Sequence, residues 1–432
     1  MQNSSAPVNP GLPGAGRALA LLLAINLFNY LDRQVLAAVE PYIRATFFDP
    51  GDLSARAKTG ALATAFLLSY MVMAPVFGWL ADRFSRWLLI AVSVALWSLA
   101  SAWTGLAATF AMLLLTRVFV GIGEAGYGPA APTLISDLYP AKLRGQKLSL
   151  FYLAIPVGSA LGYVYGGAVS AWLDWRWAFY LVAPPGLILA ALCLWMRDPR
   201  SQSSSSPEAI AAPKPKLSDY LALFRIRSYT INSAAMTAMT FAIGGMSFWM
   251  PSYIADFRKA EFAADPNLLS HVNTRFGAIT VVAGLLGTLL GGWTADRLRP
   301  RFPSAYFLVS GIGILLAFPA TVALLYTPFP SAWGLVFLAV FFLFFNTGPA
   351  NAALANVTPA ATRSTAFALN IFLIHALGDA ISPPLIGAIG DRWNMNTAFG
   401  LVSAMMVVAG GFWLYGTRHL AADTAAVETS TQ

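Results

Sequence analysis

Gly78-Trp79-Leu80-Ala81-Asp82-Arg83 returns 214 residues later as Gly292-Trp293-Thr294-Ala295-Asp296-Arg297. Two further stretches repeat in the same order. Tyr139-Pro140-Ala141-Lys142-Leu143-Arg144 is matched by Thr358-Pro359-Ala360-Ala361-Thr362-Arg363, and the run from Asp174 to Phe179 has a looser echo between Asp391 and Phe399. Three ordered matches at nearly one offset mean that the chain is built from two similar halves.

Each matched segment closes or opens a long apolar run. The 432 residues are 57% hydrophobic and only 11% charged, less than half the roughly 25% charge of soluble domains. Runs of about 20 apolar residues, enough for a ~30 Å hydrocarbon core, recur along the chain. A helix satisfies its own backbone groups in lipid and an open sheet edge does not, so the runs read as membrane helices. The alternating pattern of an outer-membrane barrel is absent. Twelve spans are placed at 17–44, 58–81, 87–107, 110–138, 145–172, 176–196, 229–257, 272–295, 304–326, 331–356, 364–389 and 396–416.

The repeat sorts them into six and six: a bundle over 1–197, a polar linker over 198–228, a second bundle over 229–418 and a flexible tail over 419–432. Ser201–Pro207 and Pro213–Lys216 in the linker are too polar to pack. No short apolar segment with a cleavage site precedes the first long run, so no cleaved signal peptide is expected.

An even number of spans puts both termini on one face. Its loops carry the excess of basic residues, among them Arg83, Arg86, Arg144, Lys147, Arg197, Arg297, Arg299 and Arg301, while the opposite loops hold fewer, such as Arg44, Arg56 and Lys58. The positive-inside rule makes the first face cytoplasmic. The formal charge of +8 is thereby read as topology and contact with anionic membrane lipid, not as a nucleic-acid surface. A bacterial inner membrane is the expected location.

Five ionisable residues fall well inside spans: Asp32, Arg33, Arg117, Glu124 and Asp379. Charges at that depth cost several kcal/mol, so they should face the bundle interior and mark a pathway. Arg117 and Glu124 are seven residues apart, which stacks them on one helix face about 10.5 Å apart along the axis. A guanidinium that moves between access states would make Glu124 take up or release a proton, the expected route of proton coupling. Asp32 and Arg33 point about 100° apart; Asp32 is expected to assist Glu124 or hold Arg117, and Arg33, with its forked donors, to bind phosphate or carboxylate. Asn29 and Tyr30 are candidate head-group ligands beside them. His375 and Asp379 share a face and form a second candidate proton site; the stronger expectation for them is a contact that locks helix 11 to a neighbour.

The halves differ in chemistry. At the loop offset, Val336 and Leu343 stand where the first half has Arg117 and Glu124. Helix 7 offers Asn232, Thr237 and Thr240, then Met246, Phe248, Trp249 and Met250; helix 10 adds Phe337, Phe341, Phe344 and Phe345. A charged first half facing an apolar second half suits an amphiphile. Gly158, Gly162 and Gly166 recur every four residues on helix 5 and should let a neighbouring helix approach closely. Cys193 is the one cysteine and reads as an inert buried thiol.

The chain resembles the major facilitator superfamily. Gly78-x-x-x-Asp82-Arg83-x-x-Arg86 matches its loop motif in full, and the second copy, Asp296-Arg297, departs from it with Pro300 at the last basic position. Within that superfamily it is most similar to the Spinster family of lipid transporters. Asn29-Tyr30-Leu31-Asp32-Arg33 on helix 1 carries the likeness, with Arg117, Gly121, Gly123, Glu124, Ala125, Pro132 and Asp137 on helix 4. His375, Gly378, Asp379, Ser382 and Pro383 on helix 11 discriminate best.

The resemblance implies an all-α membrane protein of twelve helices in two six-helix bundles. It implies loops at Gly78, Asp82, Arg83, Arg86, Asp296 and Arg297 that stabilise one access state, a monomer, and movement of lysophospholipids or sphingoid phosphates. Two alternatives are a proton-coupled carrier of small organic anions and a multidrug exporter; for the latter, Pro156 precedes Gly158 where the drug-antiporter signature has it follow. Three well-separated histidines and one cysteine offer no metal cluster or nucleophile with a base, so neither an enzyme nor a cofactor is expected.

Overall fold

The structure, a computed structural model, describes residues 12–81, 83–199, 221–359 and 362–429. The Ser- and Pro-rich part of the linker and Asp82 lie outside them. No strand occurs among the described residues.

Helices 1 to 3 are Ala15–Phe47, Ala55–Ala81 and Arg86–Gly105. Helix 4, Phe110–Leu138, bends at Gly126 between two segments. Helix 5 is Ala141–Trp172 and helix 6 is Arg176–Cys193. In the second half, helix 7 is Arg227–Ser252 and ends in a π-helical turn, Tyr253–Phe257. Helices 8 and 9 are Leu268–Leu298 and Ala305–Tyr326. Helix 10, Ala332–Asn356, breaks at Asn346, the repeat-related counterpart of the bend at Gly126. Helix 11 comprises Arg363–Ile374, a π-helical turn His375–Asp379, and Ser382–Arg392; helix 12 is Met395–Thr429.

Among the described residues, eleven of these helices are long and apolar enough to cross a bilayer. Helix 7 is the polar one, and its polar groups turn inward. Asn232 is fully buried, donates to the Ala350 carbonyl at 3.0 Å and accepts from the Trp413 indole at 2.8 Å. Interhelical bonds of this kind replace the water that the side chain would otherwise need.

Helix 12 corrects one expectation. The segment from 419 to Thr429 is not a flexible tail but continues the helix. Its Ala-rich sequence favours helix, Leu420 is buried, and the Asp423 carboxylate accepts from the Ser228 backbone N–H at 2.8 Å. That contact satisfies an orphan donor at the start of helix 7 and places a negative charge where the helix dipole favours it.

Close packing of helix 5 on helix 1 follows from the glycine row. A Cβ at Gly158 or Gly162 would lie 2.5 or 2.4 Å from the carbonyl oxygen of Leu27 or Leu31, so only glycine allows this approach. Helix 5 also crosses to the second half, where Gly277 of helix 8 sits against the Ala160 carbonyl.

The two bundles are fastened on the face opposite the Gly78 and Gly292 loops, called here the far face. Arg44 bridges Glu40, at 3.0 Å on its own helix, and Asp256 at the end of helix 7. Glu40 is buried and also accepts from Thr59, at 2.8 Å, and from Ser252 of the other bundle. Asp391 accepts from Arg56 at 3.3 Å and from the Ala57 backbone N–H at 3.0 Å, and Asn273 donates to the Ala38 carbonyl at 3.0 Å. On the loop face, by contrast, the first segment of helix 11 packs on helices 7 and 10 of its own bundle. The far-face connection between helices 1 and 2 is also pinned. Lys58 and Ser54 hold the Asp52 carboxyl down to about 2, so this turn keeps its charge until the pH falls through that value and the stabilisation is lost below it.

Replacing Arg44 with Ala should loosen the far-face seam, because two carboxylates lose the cation between them. Spin labels at Asp49 and Ala263 should then show a longer-distance population that the wild-type chain lacks. An unchanged distance distribution would mean that Arg44 is not part of the fastening.

Candidate functional site

A cavity of about 310 Å³ lies between the bundles at mid-depth. Helices 1, 2, 4 and 5 contribute Tyr30, Arg33, Phe66, Arg117, Glu124 and Pro156. Helices 7, 8, 10 and 11 contribute Thr240, Phe248, Thr280, Phe344, His375 and Asp379. Both halves therefore line one chamber.

Helix 1 meets helix 4 through two charge pairs, arranged differently from the sequence expectation. Arg33 Nε donates to Glu124 Oε2 at 2.6 Å. Arg117 instead donates through Nη2 to Thr104 at 2.9 Å, stands 5.4 Å from the Phe179 ring, and interacts with Asp32 as a charge without a direct hydrogen bond. Asp32 accepts from Ser101 at 2.5 Å. The stacked Arg117–Glu124 pair is thus not the contact made here. Two helical turns separate those groups on helix 4, whereas the 100° between Asp32 and Arg33 lets each reach a different partner.

Exposure separates the four roles. Asp32, Arg117 and Glu124 are buried, while the Arg33 side chain is 21% exposed and opens on the cavity. Asp32 and Asn29 do not line the cavity; they stand behind its wall, with Asn29 beside Glu124. Asp32 Oδ1 and Arg117 Nε are buried and form no hydrogen bond among the described residues. Such atoms cost free energy, and a group that can change its proton or its partner is where that cost has a use.

On helix 11, His375 Nδ1 lies 3.0 Å from both Asp379 oxygens, and both residues face the cavity. The contact is internal to helix 11, so it does not lock that helix to a neighbour. A π-helical turn there explains the geometry, since Pro383 and Pro384 at the start of the next segment supply no backbone donors. The Ala380 carbonyl, which Pro384 leaves without a helical donor, accepts from Thr64 of the first bundle at 2.5 Å, and Trp249 donates to Pro383 O at 2.9 Å. Broken helix of this kind is tolerated in a membrane only where protein or a cavity covers it.

The loop motifs make their contacts inside their own bundles. Arg86 is fully buried and grips Asp198 through Nε and Nη2 at 3.2 and 2.7 Å; Nη1 reaches Asp137 at 2.7 Å. The Arg83 guanidinium lies 3.9 Å from the Trp79 ring, and Arg297 repeats that stacking on Trp293 at 6.0 Å. Asp296 accepts from Tyr306 of helix 9 at 2.9 Å. Gly78 makes no close approach at its α-carbon.

Of the second-half aromatics, Phe248 and Phe344 line the chamber, while Trp249 and Met250 are fully buried in packing. Phe341 and Phe345 pack on helix 8, where a Cβ at Gly287 would come within 2.3 Å of the Phe341 carbonyl oxygen. Val336 and Leu343 are buried in the same packing. Sequence reasoning missed Phe66 and Tyr70, which surround Arg33 together with Tyr30, and it missed Ser101 and Thr104. Nothing in the spacing of helices 2 and 3 marks them, because only the crossing of helices brings them to the charges.

The comparisons agree with this architecture. The Major Facilitator Superfamily profile matches residues 22–378. The chain is 37% identical to protein spinster of Drosophila melanogaster over 90% of its own length, and it spans 64% of the fly protein. It is 38% identical to human protein spinster homolog 1, covering 88% of this chain and 73% of the human one. In structure it is similar to a bacterial homolog of the human lysosomal transporter Spinster, solved in an inward-facing and occupied conformation, with a TM-score of 0.79 at 22% identity over 95% of this chain and 98% of that one. A D-xylose–proton symporter gives 0.73 at 19% identity, covering 92% and 96%.

Proposed function

Because the chain belongs to the major facilitator superfamily and, within it, to the Spinster family, we propose that this transporter carries an amphiphilic anion or zwitterion of the lysophospholipid or sphingoid-phosphate type, coupled to protons, by alternating access. It is an integral membrane transporter, not an enzyme.

One observation carries the reading: the sole cavity-facing guanidinium of helix 1 shares its charge with a buried carboxylate. While Glu124 is ionised, Arg33 is half-committed through Nε. A proton on Glu124 cancels that claim and leaves a fork of donors for a phosphate or carboxylate head group. Proton and anion then bind together, because each removes an obstacle to the other. Asp32, one layer deeper, and Arg117, on the cavity wall, keep helix 1 and helix 4 in register and can pass the proton on. His375 and Asp379 across the chamber are the second titratable pair, and Asp379 can meet a cationic part of a zwitterion. Tyr30 completes the head-group end, with Asn29 supporting Glu124 from behind the wall, and Phe248 and Phe344 face the chain.

Placing the basic loop face in the cytoplasm of a bacterial inner membrane makes the far-face seam the closed outer gate, an inward-facing state. In this reading the loops at Gly78, Asp82, Arg83, Arg86, Asp296 and Arg297 weight the balance between access states. One copy encloses the whole chamber, so a monomer suffices as the transport unit.

The cavity volume favours a second reading. About 310 Å³ is at the low end for ligand sites, room for a head group or for a small organic anion. Proteoliposomes with an imposed pH gradient separate the two. Labelled lysophosphatidylglycerol should move in response to the gradient and small organic acids should not compete; gradient-driven uptake of the acids alone would reverse the assignment, and no response with either would end the proton-coupled reading.

A further inference from the structure

Three aromatic rings enclose the Arg33 guanidinium. Its central carbon lies 4.9 Å from the centroids of Tyr30 and Phe66 and 5.5 Å from that of Tyr70. Tyr30 comes from the turn below on helix 1, and Phe66 and Tyr70 are one turn apart on helix 2, with their rings 6.2 Å apart. Glu124 engages Nε alone, so a single hydrogen bond would leave the long side chain free to swing once the carboxylate is neutral. Ring faces attract a guanidinium at these distances without accepting a hydrogen bond from it.

We infer that Phe66 and Tyr70, with Tyr30, are positioning residues that hold Arg33 at the cavity wall whether or not Glu124 is charged. This rests on the reading of Arg33 as the anion-binding group. The physical consequence is specific. Without the rings, Arg33 would follow its carboxylate or fold away into solvent when the ion pair breaks, and the anion would meet a disordered cation. With them, the guanidinium keeps one location and only its electrostatic partner changes, from carboxylate to head group. The ring faces themselves consume no Nη hydrogen bond, although the Tyr70 hydroxyl stands within hydrogen-bonding reach of the guanidinium.

Gly121 shows that the rings are fixed from behind. A Cβ there would lie 2.2 Å from the Phe66 carbonyl oxygen and 2.1 Å from Ser69 Oγ, so helix 4 presses directly on the helix 2 turn that bears Phe66 and Tyr70. Tyr70 is held in turn by helix 4, its hydroxyl 2.5 Å from where a Cβ on Gly128 would stand. The helix that carries Glu124 therefore also sets the rings around Arg33.

The test uses the full chain in nanodiscs with lysophosphatidylglycerol as probe. Phenylalanines of increasing fluorine content at Phe66 keep size and drain the ring face of charge. Affinity should fall stepwise with fluorine content, and Phe66→Leu and Tyr70→Leu should bind roughly two- to tenfold more weakly. A second readout needs no lipid: phenylglyoxal modification of Arg33, followed by peptide mass spectrometry. It should stay slow in Glu124→Gln with the rings intact and accelerate when either Leu substitution is added. Flat affinity across the fluorine series with unchanged modification rates would reduce the rings to ordinary packing and overturn the inference. A wild-type chain that binds no lysophosphatidylglycerol would instead count against the proposed substrate, and the modification rates would still decide what the rings do.

Discussion

Glu124→Gln should abolish the response of transport to a pH gradient while preserving exchange of substrate across the membrane. A gradient of one pH unit is worth about 1.4 kcal/mol per proton, which supports up to about tenfold accumulation of a singly coupled solute. Gln is permanently neutral and nearly isosteric, so Arg33, 2.6 Å from this side chain in the native chain, would be available to an anion at every pH. Accumulation should collapse to the equilibrium distribution, and anion binding should lose its dependence on pH. Lowered pH should tighten binding in the native chain, because the proton that Glu124 takes up removes the competitor for Arg33. Counterflow of labelled lysophosphatidylglycerol in proteoliposomes reads both effects at once. Retained gradient-driven accumulation in the variant would show that the proton travels elsewhere, with His375 and Asp379 the next place to look.

The second large effect concerns stability. Arg86→Ala should cost about 3–5 kcal/mol, the range for removing one partner of a buried ion pair. Arg86 has no exposed surface, and it joins the start of helix 3 to Asp137 at the end of helix 4 and to Asp198 beyond helix 6. The Arg86 backbone N–H also donates to Asp198, at 2.9 Å, so the carboxylate caps helix 3 while the side chain clamps it. Arg86→Lys should recover only part of the loss, since an ammonium has no fork to match both oxygens of Asp198. Thermal unfolding in detergent, followed by fluorescence, measures this directly. A melting temperature within about a degree of the native chain would remove Arg86 from the structural account and return it to the loop's role in access.

The two halves of the motif reading fared differently for a physical reason. A loop motif announces itself by residue identity, and Gly78-x-x-x-Asp82-Arg83-x-x-Arg86 needed no coordinates to be seen. Its partners did not, because Asp137 and Asp198 are 51 and 112 residues from Arg86 and reach it only when three helix ends meet. The same holds inside the membrane. Helical periodicity put Arg117 and Glu124 on one face two turns apart, and the cation that meets Glu124 here is Arg33, which helix 1 supplies at closer range. His375 and Asp379 were legible as an i, i+4 pair, but the π-helical turn that carries them goes with the prolines that follow and with the Ala380 carbonyl captured by Thr64.

Composition and the internal repeat alone determine that this chain crosses a membrane many times in two related halves, because hydrophobic length and backbone self-satisfaction are local properties of each segment. The identities of its buried ions are local as well. Which ions face each other, which aromatic rings surround Arg33, and on which face the bundles are fastened were decided only by tertiary structure. Those outcomes depend on how rigid helices cross, and a crossing joins residues scores of positions apart whose meeting leaves no trace in the spacing of either one.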